Sequence, residues 1–185
     1  MQTQTPIQVQ YDDTYLDIMR ERNYDATAET INRARWEFMS GLRLRTVLDY
    51  GCGLGYLAKF APDGVTVDTY DIGPFEQTGI AHDAYDCVCF FDVLEHVPDF
   101  RVLDPVFDAA DFVCVSVPML PAGLAIDQWK HNKFSTGEHL HYFTRDSLEL
   151  FFAVRGFARI REGRPEEPTR TDIYTALFRR LDVAA

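Results

Sequence analysis

VLDYGCGLGYL, residues 47–57, decides the fold of this chain. An apolar run ends at Asp49, three glycines follow at alternate positions (Gly51, Gly53, Gly55), and apolar residues resume at Tyr56 and Leu57. That order reads as a buried strand, a tight glycine turn and the start of a helix. Glycine permits positive φ and lets a ligand approach the backbone closely. Backbone amides at such a turn and at a helix start favour electron-rich groups such as a carboxylate or a phosphate. A purely structural turn uses glycine in the same way, so the motif needs a second signal.

The second signal is Val65 to Asp71, VTVDTYD, an alternating run that ends in an acid. Asp71 stands eighteen positions beyond Gly53, close to the offset at which nucleotide-binding α/β folds set a carboxylate on ribose hydroxyls. A carboxylate is acceptor-only and suits that task. The competing reading is a strand-end Asp that caps a turn. Asp68 lies inside the strand and is the weaker candidate.

VLDYGCGLGYL, the acid-ended strand, FFDVLEHVPD at 90–99 and GEHLHYFTRDSLELFFAVRGF at 137–157 together resemble a class I S-adenosylmethionine-dependent methyltransferase. The likeness is to the small-molecule branch that includes the ubiquinone-pathway O-methyltransferases, and it runs from about Val47 to the C-terminus. It implies one Rossmann-like, doubly wound α/β sheet, mostly parallel with an antiparallel C-terminal strand. It implies an enzyme that uses S-adenosyl-L-methionine to methylate a small-molecule acceptor, on O or N rather than C. By the same resemblance Asp49 and the backbone at Gly51, Gly53 and Gly55 border the methionine end of the cofactor, and Asp71 takes the ribose. Asp92 and Leu94, directly after a strand, line the cleft beside the methionine part. Glu95 and His96 have a second reading, as residues that fix the next helix start.

The chain departs from that pattern between Asp71 and Asp86. The resembled family places a helix and a further strand there, and that strand's end commonly contacts the adenine. IGPFEQTGIAHDAY, 72–85, has room for a loop or one short element. A sheet trimmed at one edge is expected, with backbone amides from Gly79 to Asp83 as substitutes toward the adenine. A non-catalytic domain that keeps the fold is therefore one rival reading. A nicotinamide-dependent oxidoreductase is another, opposed by the glycine spacing and by FDVLEH.

The 185 residues suffice for a single domain with a substantial core, and 46% are hydrophobic. We expect residues 1–45 to form a helical cap and 46–185 the α/β core. No apolar run approaches membrane-spanning length, and MQTQTPIQVQ lacks a secretory signal's character. A cytoplasmic protein without a membrane partner is expected. A net charge of −11 opposes general capture of nucleic acid. Arg33, Arg35, Arg43 and Arg45 form a modest basic patch, read as a solvated helix face. Cys52, Cys87, Cys89 and Cys114 read as reduced core thiols, three of them in apolar strand-like runs. The oligomeric state is not readable.

Helices are predicted over Tyr11–Arg22, Thr27–Leu42, Tyr56–Phe60, Arg101–Ala109 and from Thr144, as N-cap, to Arg155, with Gly156 ending the last. Strands are predicted over Thr46–Tyr50, Val65–Asp71, Asp86–Phe91, Asp111–Val117, Phe157–Gly163 and Thr171–Arg179. RPEEPTR, 164–170, reads as a polar loop.

His139 and His141 alternate, so in an extended segment they share a face. A near-neutral imidazole can take a proton from a hydroxyl or amine nucleophile. His139, His141 and, less directly, His96 are therefore the candidate catalytic residues. Two other readings stand beside this one: loop histidines bonded to backbone, and a metal site built from His131, His139, His141 and Glu138. No metal is assigned.

Overall fold

In a computed structural model, residues Asp12, Thr14, Tyr15 and Asp17, 25–133 and 137–181 are described. Of the predicted helix Tyr11–Arg22, Thr14, Tyr15 and Asp17 are helical and Asp12 is a bend; its other positions lie outside the described residues.

Six strands form one sheet: β1 (Thr46–Tyr50), β2 (Thr66–Tyr70), β3 (Tyr85–Phe91), β4 (Ala110–Pro118), β5 (Phe157–Gly163) and β6 (Ile173–Arg180). Their spatial order is β2-β1-β3-β4-β6-β5. The first four are mutually parallel, and β6 runs antiparallel to both β4 and β5. The α/β class, the parallel core and the antiparallel C-terminal strand are as expected. β1 and β3 lie inside the sheet and are mostly buried, because helices and loops cover both sheet faces. Val47 joins one core layer with Trp36, Met39 and Leu57, and Leu48 joins the other with Phe90, Leu103 and Phe152. One-residue alternation thus sorts the β1 side chains between two cores.

α1 (Asp25–Phe38) packs on the first layer. Trp36 donates its indole N–H to the Leu57 carbonyl at 3.0 Å, which ties α1 to α2 (Tyr56–Lys59), a helix of one turn. The predicted helix over Arg101–Ala109 is divided: a 3-10 turn spans Phe100–Leu103, and α3 covers Asp104–Asp108. Pro105, early in α3, lacks the N–H that a continuous helix would use. α4 (Arg145–Ala153) begins at Thr144, whose side chain accepts from the Ser147 amide in a reciprocal cap, and Gly156 follows its end with φ 79°.

The sheet is trimmed as expected. β2 is its edge, and residues 71–84 contain no strand. Side chains close that edge instead. Thr78 Oγ1 accepts from the Thr69 amide and Gln77 Oε1 from the Asp71 amide, each at 2.9 Å. Asp68 accepts from Tyr85 Oη at 2.6 Å and from the Ala81 amide at 3.0 Å. Unpaired edge groups are so satisfied without a further strand.

Candidate active site

The carboxyl ends of β1, β2 and β3 open onto a cleft of about 740 Å³. Parallel strands end on the same side of the sheet, and that edge is where open α/β sheets bind ligands.

The glycine turn forms one wall. Gly51, Gly53 and Gly55 have φ of 80°, 51° and 71°, values that side chains disfavour. A Cβ at Gly51 would come within 2.4 Å of Val93, whereas Gly53 and Gly55 face open space. The Gly53 amide donates to Asp71 Oδ2 at 2.9 Å, and the Gly73 amide to Oδ1 at 2.8 Å. Asp71 therefore stands at the turn, as its spacing implied. Asp49 is buried, and its carboxyl is pushed up to about 7 by burial, against the pull of the Arg35 guanidinium. Tyr15, Ile72 and Phe75 line the cleft beyond Asp71, with the Tyr15 and Phe75 rings 6.2 Å apart, edge to face.

A charged network that the sequence did not announce crosses the cleft floor. Asp92 follows β3 with φ 59°, a strained value for a non-glycine residue. Arg170 holds it with two hydrogen bonds of 2.7 Å each. Glu166, fully buried, accepts from Arg170 at 2.8 Å and from Arg35 Nε at 2.9 Å. Arg35 lies over the Phe91 ring at 4.2 Å and 3.5 Å from Asp92. Burial pushes the Asp92 carboxyl up, but Arg170 and Arg35 outweigh it and hold it below the usual range. Arg35 is thus no member of a solvated face: its side chain is 11% exposed. Arg33, on the neighbouring face, is exposed and pairs with Glu29, as read.

Residues 95–98 with His131, Lys133, Glu138 and His139 also line the cleft. Glu95 is 2% exposed, and neither carboxyl oxygen has a hydrogen-bond partner. Burial and the Asp92 charge push its carboxyl well up. The Glu95 carbonyl accepts from the Leu140 and His141 amides at 2.7 and 3.1 Å, which brings the histidine segment over it. His96 Nδ1 bonds the Glu138 carbonyl at 2.6 Å and leaves Nε2 3.9 Å from Glu95 Oε1. The His139 and His96 rings stand 4.8 Å apart. Burial lowers both imidazoles, His139 to about 4.

Several expectations need correction. Leu94 lies in the core at 0% exposure, and Val93 faces the cleft instead. His141 is turned away: its Nε2 bonds the Val97 carbonyl at 2.9 Å, and its ring packs 4.4 Å from Phe100. His139 and His141 do not share a face, because the segment 138–142 is not a strand. The four-residue metal set is accordingly not assembled, although His131, Glu138 and His139 all line the cleft. The Gly79, Ala81 and His82 amides are spent on Thr69, Asp68 and Tyr85, so they do not serve an adenine. Arg170 and Glu166 sit in an aperiodic polar loop that carries no sequence signal. Glu95, by contrast, was visible next to His96 in LEH.

A family profile described as "Methyltransferase domain" matches residues 19–162. No curated protein matches the chain. Among solved structures the chain is similar to LaPhzM, at 17% identity and TM-score 0.63, covering 95% of this chain and 63% of that one. It thus spans less than two thirds of that protein's length. It is also similar to a 1,6-didemethyltoxoflavin-N1-methyltransferase from Burkholderia thailandensis, with 18% identity, TM-score 0.66 and coverage of 92% and 86%. A third is magnesium protoporphyrin IX methyltransferase from Synechocystis PCC 6803, with 17% identity, TM-score 0.58 and coverage of 91% and 86%. The last two were crystallised with S-adenosylhomocysteine.

Proposed function

The chain belongs to the methyltransferase domain family, and from that premise we propose that it transfers the methyl group of S-adenosyl-L-methionine to a small-molecule acceptor. One observation carries the reading. A positive-φ glycine turn bonded to Asp71 and a cluster of Glu95, His96 and His139 line a single cleft.

The residues fit the cofactor. Gly53 leaves its backbone open to the cleft, whereas Gly55, expected to border the cofactor, does not line it, so a ligand can approach the turn closely at Gly53. Asp71 would hold the ribose hydroxyls. Tyr15, Ile72 and Phe75 would wall the adenine and replace the missing strand. Arg35, a cleft cation beside Asp49, would receive the carboxylate of the amino-acid end. When bound, the cofactor supplies a methyl carbon made electrophilic by a sulfonium. Methyl transfer asks chiefly for in-line placement, which the ends of β1 and β3 would support. His96 and His139 offer ring nitrogens to a proton leaving the acceptor, and their lowered basicity keeps them unprotonated at neutral pH.

Four buried free thiols support a cytoplasmic setting, and among the described residues no helix is long and apolar enough to cross a membrane. A net charge of −11 argues against a nucleic-acid acceptor.

Thermal shift and calorimetry with S-adenosylhomocysteine, NAD and NADP test the proposal. S-adenosylhomocysteine should raise Tm by mass action and give a binding isotherm; the two nicotinamide nucleotides should not. No shift and no heat at millimolar S-adenosylhomocysteine would leave a methyltransferase fold without the activity.

A further inference from the structure

Glu95, His96 and His139 form a cluster whose unsatisfied atoms are all acceptors. Glu95 has two buried oxygens without a partner. His96 gives its Nδ1 to the Glu138 carbonyl, which leaves Nε2 as a lone pair toward the cleft. His139 bonds the backbone of His131, which frees its other nitrogen in the same way. The cations nearby already have carboxylates: Arg170 is held by Asp92 and Glu166, and Lys133 lies 3.9 Å from Glu138. A ligand for this corner must therefore bring donors.

The spacing says how many. One oxygen of Glu95 and one nitrogen from each histidine all lie within 4.8 Å of one another. Three points so spaced share a centre within about 2.8 Å of each, an ordinary N–H···O or N–H···N length. A zinc ion, bound at about 2.1 Å, would need its donors about 3.4 Å apart, closer than the 3.9 Å between Glu95 Oε1 and His96 Nε2. The tripod suits three N–H donors radiating from one nitrogen.

Resting on the methyltransferase reading above, we propose that the methyl acceptor is a primary amine, bound through its ammonium by Glu95, His96 and His139. Apolar Val97, Pro98 and Val102 flank the corner and suit an amine on a hydrophobic body. The same contacts prepare the nitrogen. One N–H proton passes from the ammonium to an oxygen of the Glu95 carboxylate, giving a neutral carboxyl and a neutral amine, whose lone pair can then turn to attack the methyl carbon. A buried site favours that neutral pair over two charges, in keeping with the raised Glu95 carboxyl.

Calorimetric titration of the protein with benzylamine, benzyl alcohol, benzoate and Zn²⁺, each with and without saturating S-adenosylhomocysteine, tests this. Benzylamine should bind at least tenfold more tightly than benzyl alcohol, and benzoate should not bind. Glu95→Gln should reduce the amine to the alcohol's affinity; if that variant does not fold, His139→Gln should still lose the preference for the amine. Equal affinities for amine and alcohol would overturn the proposal. So would Zn²⁺ binding that depends on His96 and His139 when benzylamine does not bind. If S-adenosylhomocysteine binds and benzylamine does not, the amine fails and the methyltransferase stands. An amine preference without S-adenosylhomocysteine binding would sink the methyltransferase and keep the tripod.

Discussion

Asp71 shows how one side chain serves the turn and the ligand together. Its two oxygens already fix the Gly53 and Gly73 amides, so the ribose would meet a carboxylate held in place. Asp71→Ala is expected to lose about 1.5–3 kcal/mol of charge-assisted bonding, roughly ten- to a hundredfold in S-adenosylhomocysteine affinity. An unchanged Kd by calorimetry would put the ribose elsewhere. Asp49 is set the other way. Its folded-state carboxyl lies near 7 against 3.8 for the free group, so ionising it penalises the fold increasingly from about pH 4 to pH 7 and fully above. Asp49→Asn should therefore raise Tm at pH 8, by about 2–4 °C for each kcal/mol relieved in a domain of this size, while weakening S-adenosylhomocysteine. A lower Tm at pH 8 would refute the burial argument. His139 titrates at about 4 when folded and near 6.5 when unfolded. The stability it confers is whole above pH 6.5 and is lost as pH falls toward 4. His139→Gln should flatten that part of the stability curve. The turnover loss near pH 6–7 that an ordinary imidazole would cause is not expected from this residue.

At the scale of elements, the loop between β5 and β6 does more than join two strands. Through Arg170 and Glu166 it reaches Asp92 after β3 and Arg35 in α1, so three distant segments meet in one network. Breaking a buried pair on one side costs more than the pair contributes, because the orphaned charge stays buried. Arg170→Gln is expected to cost about 3–5 kcal/mol, read in denaturant unfolding. Arg170→Lys should cost less, since it keeps the charge and loses only the fork. A change below about 0.5 kcal/mol for Arg170→Gln would mean that Asp92 keeps its left-handed backbone unaided. α4 offers a calibration: Thr144→Ala removes one side of a cap and should cost about 1 kcal/mol.

Across the whole molecule, the same network bears on how the chain unfolds. We propose that 1–45 and 46–185 form a single domain, since α1 shares a core layer with β1 and β3 and an ion network with the β5–β6 loop. One calorimetric transition, coincident by tryptophan fluorescence and far-ultraviolet dichroism, is expected. Separate transitions would divide the cap from the sheet.

The sequence by itself determined the parts whose physics is local. Alternation, apolar runs and glycine placement are set by neighbours in the chain, so the four parallel strands, the turn at Gly51–Gly55, the cap at Thr144 and the trimmed edge were legible, with errors of a residue or two at strand ends. Asp71 was legible too, because a fixed strand–turn–helix unit sets its offset from the turn. Only the tertiary structure decided the rest of the site. The bond from Arg35 to Glu166 spans 131 positions, and the one from Arg170 to Asp92 spans 78; no periodicity links such residues. The choice between His139 and His141 depended on which carbonyl each ring found, Val97 for His141 and the His131 backbone for His139. Burial of Glu95 without a partner is a property of what surrounds it, and that surrounding exists only once β3, the histidine segment and the β5–β6 loop have come together.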